Sequence, residues 1–112
     1  MTIAVRKKGK VNIVEVTGRM GLGEGDAALR DCVKALVDSG ETLVLLDLLH
    51  VPHLDSASLG EVVACHKRLA EKGGTVKIVI QGKVHEIFNM ARLYRVFEIF
   101  SDVESALADF VK

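Results

Sequence analysis

Residues 50–66, "HVPHLDSASLGEVVACH", bring histidine, aspartate, serine, glutamate and cysteine close together in the chain. Serine, histidine and aspartate are the side chains of nucleophilic catalysis, but no nucleophile-elbow "GxSxG" is present. Abundance alone places no base beside a nucleophile. His50 and His53, with Asp47 and Asp55 nearby and His66 further on, are of metal-ligand type. The pair straddles Pro52, however, so no rigid element presents both rings to one ion. Scattered loop and surface histidines are expected, with no metal and no catalytic residue.

The same stretch reads naturally as the start of a helix. Ser58 and Glu61 match the S-x-x-E capping box, and Asp55 or Ser56 could equally cap the same helix. A hydroxyl at an exposed helix start is also accessible. A phosphate there would meet unpaired backbone N–H groups and the positive end of the helix dipole, adding about −1.5 to −2 charges to the surface. Such a modification would disturb a partner contact without unfolding the protein.

A second candidate is the glycine-rich loop "GRMGLGEGDAALRD" (18–31), with Gly21, Gly23 and Gly25. The third position of a dinucleotide fingerprint falls on Asp26, and Glu24 and Asp26 would repel a phosphate while suiting a helix N-terminus. No Gly-Lys-Ser/Thr of a P-loop follows. The loop is expected to be a connection and a contact surface, and no cofactor is expected.

The elements that must position these residues follow from periodicity. "TIAVRKK" (2–8) and "VNIVEVT" (11–17) are β-rich runs separated by Gly9 and Lys10, which predicts a hairpin. From Asp26, the residues Leu29, Cys32, Val33, Leu36 and Val37 repeat with helical spacing and stop at Gly40. "TLVLLDLL" (42–49) is a nearly continuous apolar run, as in a central covered strand. Leu59, Val62, Val63, His66, Leu69 and Ala70 mark a second helix closing at "KGG", followed by a strand "TVKIVI" (75–80). Val84, Ile87, Phe88 and Ala91 mark a third helix, "RVFEIF" (95–100) a last strand, and "SDVESALADFVK" a terminal helix with a Ser101–Glu104 capping box. The class is therefore α/β: one mixed β-sheet with an N-terminal hairpin and about four α-helices, in the order ββαβαβαβα with right-handed parallel crossovers.

Composition narrows the function. The 112 residues suit one domain, 1–112, and the 15 Lys+Arg cancel the 15 Asp+Glu without forming a basic block, so nucleic acid is not an expected partner. Hydrophobic residues make up 49% of the chain but aromatic ones only 4%, an aliphatic interior rather than a base-stacking platform. "MTIAVRKKGK" lacks the apolar core of a signal peptide, and no run approaches a membrane span, which predicts a soluble, cytoplasmic protein with no membrane partner. Cys32 and Cys65 fall on apolar helix positions and are expected to be buried, reduced thiols.

"LVLLDLLHVPHLDSASLGEVV" (43–63) resembles a strand followed by Asp-Ser-[Ser/Thr/Ala]-Gly-Leu-Gly, the mark of the STAS-domain family and specifically of bacterial anti-sigma factor antagonists. "KGGTVKIV" (72–79) and "IFNMARLYRVFEIFSDVESAL" (87–107) resemble the family's later elements. The resemblance implies partner switching in transcription regulation. An unphosphorylated antagonist binds an anti-sigma factor, a GHKL-type serine kinase, and so releases a sigma factor; the kinase phosphorylates the antagonist, and a phosphatase reverses this. Carried over, Asp55 and Ser56 match the motif's Asp and first hydroxyl, Ala57 its second position, and Leu59 and Gly60 its Leu-Gly. Ser56 is the implied acceptor, with Ser58, which replaces the motif's glycine, as runner-up. The implied contact surface comprises Asp55, Ser56, Ala57, Ser58, Leu59 and Gly60 with Gly23 and Glu24 of the loop. A constitutive, unphosphorylated STAS scaffold subunit is the competing expectation, and a small-ligand or nucleotide module a third.

Overall fold

Side chains alternate across a strand, so each β-rich run sends its even and odd residues to opposite faces of the sheet. The computed structural model describes residues 1–21 and 24–111, the Glu24 side chain excepted. Its strands are β1 (Thr2–Lys8), β2 (Val11–Thr17), β3 (Leu43–His50), β4 (Thr75–Val79) and β5 (Glu98–Phe100). Its helices are α1 (Glu24–Asp38), α2 (Ser56–Ala70), α3 (Gly82–Met90) and α4 (Val103–Phe110), with a 3₁₀ turn at Leu93–Arg95. The predicted order ββαβαβαβα is the one found. The sheet runs β1-β2-β3-β4-β5, antiparallel between β1 and β2 and parallel thereafter.

Even-numbered residues of the two central strands, Val14 and Val16 of β2 and Val44, Leu46 and Leu48 of β3, join Leu29, Val33, Val62, Leu69 and Phe88 from α1, α2 and α3 in the larger core. Odd-numbered ones, Val11, Ile13, Leu43 and Leu45, join Ala106, Leu107 and Phe110 of α4 in the smaller. One short helix is thus the cover for the middle of this face. It is pinned there by Lys77, whose ammonium bonds Asp109 of α4 at 2.7 Å and Glu98 of β5 at 2.8 Å and lies 4.9 Å from the Phe110 ring centroid. Burial opposes the Lys77 charge, but the hydrogen bonds to Asp109 and Glu98 outweigh it and raise the group above the usual lysine value.

Glycine ends α1 as expected. Gly40 (φ +80°) takes the left-handed position, with Gly40 N–H donating to Val37 and Glu41 N–H to Leu36, the two bonds of a Schellman cap. At the close of α2, Gly74 packs so tightly that a Cβ there would lie 2.4 Å from the Thr42 carbonyl oxygen.

Several expectations are corrected. The last strand spans 98–100, not 95–100: Arg92 adopts φ +56°, the 3₁₀ turn follows, and the Phe97 N–H bonds the Leu93 carbonyl so that both side chains enter the helix-side core. α1 begins at Glu24 rather than Asp26. The Ser101–Glu104 capping box does not form, because Asp102 is the N-cap and accepts the Ser105 N–H at 2.7 Å. Cys65 is buried, but Cys32 is only half-buried at the core's edge.

Candidate functional site

Two loops leave the sheet side by side at the carboxyl ends of β2 and β3. Beyond the strands the pairing continues: Gly18 N–H donates to the His50 carbonyl at 3.0 Å, Met20 N–H to that of His53 at 3.1 Å, and Asp55 N–H to that of Met20 at 3.2 Å. Met20 and Leu54, which pair as an isolated parallel bridge, are both buried and anchor the two loops in the core. This zipper sets Gly21 against Asp55, where a Cβ would stand 3.3 Å from the carboxylate Oδ2.

Asp55 then starts α2. Its backbone is extended (φ −88°, ψ 177°), its carbonyl accepts the Leu59 N–H at 2.9 Å, and its Oδ1 accepts the Ser58 N–H at 2.9 Å. The carboxylate satisfies one of the amides that a helix start leaves without an intrahelical partner and sits at the positive end of the dipole. The Ser58–Glu61 capping box is thereby ruled out. Ser58 is 0% exposed and its Oγ has no hydrogen-bond partner among the described residues, and Glu61 is turned to a different task.

Ser56, the first residue of α2, is exposed, as are Ala57 and Gly60, while Leu59 is half-buried against the core. Among the described residues, no atom outside its neighbourhood in the chain lies within 4 Å of a Cβ placed on Gly60, so the surface beside Ser56 is low and open. A hydroxyl is therefore presented on a shelf of small side chains, with Gly21 and Asp55 at one end. Gly23 lies outside the described residues, and Glu24 contributes its backbone to the first turn of α1.

An ionic layer that sequence reasoning missed holds the shelf to α1. Glu61, almost fully buried, accepts a hydrogen bond from Arg30 Nε of α1 at 2.6 Å and lies 3.8 Å from Arg68 of its own helix; Arg30 also meets Asp26 at 3.7 Å. The hydrogen bond and charge of Glu61 hold Arg30 further into its protonated range. Beneath it, burial and then the Glu61 charge push the Cys65 thiol up to about 12, which leaves it protonated and inert at neutral pH. Asp26 and Arg30 at i, i+4 were visible in the sequence; the 31-residue separation of Arg30 and Glu61 hid the pair that matters.

The other candidate chemistry does not assemble. His50 is exposed, His53 half-buried in the loop, and His66 lies edge-on to Phe97 with ring centroids 5.3 Å apart. Among the described residues no three His, Cys, Asp or Glu side chains are placed to hold a metal ion, and no helix is long and apolar enough to cross a membrane.

Comparison with known proteins gives a consistent result. The family model described as the STAS domain matches residues 2–106. A curated relative, the anti-sigma F factor antagonist of Paenibacillus polymyxa, is 23% identical over 100 residues, covering 88% of this chain and 86% of the relative. The crystal structure of an anti-sigma factor antagonist from Mycobacterium paratuberculosis superposes with a TM-score of 0.90 at 22% identity, covering 99% of this chain and 94% of the other. The Bacillus cell fate determinant SpoIIAA in its phosphorylated form superposes with a TM-score of 0.76 at 13% identity, covering 99% of this chain and all of the other.

Proposed function

We propose that this chain, which belongs to the STAS domain family, acts as an anti-sigma factor antagonist whose binding is switched by phosphorylation of Ser56. It is a binding protein rather than an enzyme. It captures an anti-sigma factor of the GHKL serine-kinase type in the cytoplasm, so that a sigma factor is released for transcription. The kinase modifies the antagonist, and a phosphatase restores it. The curated antagonist from Paenibacillus polymyxa and the existence of a superposable chain in phosphorylated form support this reading.

The observation that carries it is the contrast between two serines. Ser56 opens α2 on the exposed shelf, whereas Ser58 is 0% exposed and beyond the reach of a kinase in the folded chain. Because Asp55 supplies the cap, the Ser56 hydroxyl is not needed for that purpose. A phosphate on Ser56 would add about −1.5 to −2 charges beside the Asp55 carboxylate, in the middle of the contact surface and outside the core. Repulsion and desolvation of that charge would then loosen the complex without melting the helix.

The test uses a GHKL-type anti-sigma kinase from the same genome. With ATP, the wild-type chain is expected to bind and acquire one phosphate, Ser56→Ala to bind and acquire none, and Ser56→Asp to bind at least about tenfold more weakly, equivalent to about 1.4 kcal/mol. Wild-type affinity for Ser56→Asp would overturn the switch. The same outcome would support the second reading, a constitutive STAS scaffold, which the presence of Ala57 beside Ser56 favours because it leaves one acceptor fewer on the shelf.

A further inference from the structure

We propose that the α4 face carries a binding slot for a single-chain fatty carboxylate. α4 has only eight residues, about 12 Å of helix at 1.5 Å per residue, and cannot cover the whole of a five-stranded sheet. Between its last turn and the β1–β2 hairpin turn lies a cavity of about 460 Å³, walled by Val11 and Leu43 of the sheet and by Leu107 and Phe110 of α4. That volume lies at the lower end of the range of about 300–1,000 Å³ typical of small-molecule sites, suited to one short alkyl chain rather than a two-chain lipid.

The rim supplies the charge. Lys8 and Lys10 line the slot from the hairpin turn, both are exposed, and neither forms an ion pair among the described residues. The neighbouring acids are already engaged: Glu41, which shares an adjacent cleft with Lys10, is held by Lys7 and Asn12, and Asp109 is held by Lys77. An apolar slot with two ammonium groups at its rim that pair with no acid among the described residues matches a ligand with an alkyl tail and one anionic head. The tail displaces water from apolar walls, while the head meets both lysines in solvent. The slot opens beside Leu43, at the start of β3, whereas Ser56 follows the end of that strand roughly 23 Å away at about 3.3 Å per residue. Occupancy therefore leaves the shelf around Ser56 uncovered.

The probe is dodecanoate, titrated into the full chain below its critical micelle concentration by calorimetry and by amide chemical shifts. The expected result is saturable one-to-one binding, with shifts concentrated at Val11, Leu43, Leu107 and Phe110. Lys8→Glu/Lys10→Glu should weaken it at least about tenfold while keeping the wild-type circular dichroism spectrum, and dodecyltrimethylammonium should bind far more weakly. Absence of saturable heat, shifts confined to another surface, or unchanged affinity in the charge-reversed variant would each overturn the assignment.

Discussion

Asp55 Oδ1 accepts the Ser58 backbone N–H at 2.9 Å, so a carboxylate starts α2 while the serine that receives its help is sealed inside. Cap and buried hydroxyl have opposite energetic signs. The cap stabilises the helix, whereas a buried Oγ with no partner among the described residues loses hydration without a hydrogen bond in return.

Asp55→Ala is therefore expected to lower stability by about 1 kcal/mol, the usual cost of removing an N-cap. Ser58→Ala is expected to be neutral or stabilising by up to about 1 kcal/mol. Urea denaturation of both variants checks the pair. A clear loss in Ser58→Ala would mean that its hydroxyl holds a partner.

Gly74→Ala should be among the more damaging single-methyl changes. The added Cβ would stand 2.4 Å from the Thr42 carbonyl oxygen, a backbone atom that cannot swing aside, at the point where β4 joins β3. A loss of about 2 kcal/mol or more, at the upper end for overpacking, is expected in the same denaturation assay.

Alkaline pH should weaken the attachment of α4. The Lys77 pKa is raised in the folded chain above its ordinary value of 10.5. Its contribution is therefore complete below that pH and is lost as pH rises through the folded-state value. Lys77→Met keeps the buried stem and frees Asp109 and Glu98 to hydrate, so its neutral-pH cost should stay within about 1 kcal/mol. Urea midpoints measured from neutral pH upward should fall more steeply above pH 10.5 in the wild type than in Lys77→Met.

Thiol labelling should separate the two cysteines. Cys65 is buried with its thiol pushed up to about 12, while Cys32 is half-buried with a smaller upward push from burial. Iodoacetamide at pH 8 should label Cys32 slowly in the native chain and Cys65 only after unfolding, as read by peptide mass spectrometry. Equal labelling rates under native conditions would contradict the packing of α2 on the sheet.

What the sequence made legible was whatever depends on neighbours in the chain. The β-rich runs, the helical spacing from Leu29 to Val37 and the glycine stop at Gly40 are local patterns, and the elements lie where those patterns fall. At α2 the sequence left Asp55, Ser56 and Ser58 open as caps, and at α4 it pointed to Ser101; one interaction decides both. At both α2 and α4 a capping box competed with an aspartate three residues before a serine, and the aspartate won each time by receiving that serine's amide. The run "RVFEIF" has a β-like composition, but Arg95 ends a 3₁₀ turn and Phe97 is held by Leu93 and the core rather than by a neighbouring strand. At the site, the motif marked Asp55 and Ser56, but the Glu61–Arg30 pair and the approach of Gly21 to Asp55 arise only when distant segments meet.

The sheet's order, β1 to β5, repeats the order of synthesis. Each strand leaving the ribosome finds the edge of its predecessor waiting, and none has to be inserted between strands already joined, which keeps the sequence separation across strand pairs small and assembly quick. The cover for Val11, Ile13, Leu45 and Val79 comes last of all, with α4. A nascent chain halted before residue 103 would carry a finished sheet with one greasy side bare, the kind of surface that chaperones hold and that aggregates when they do not.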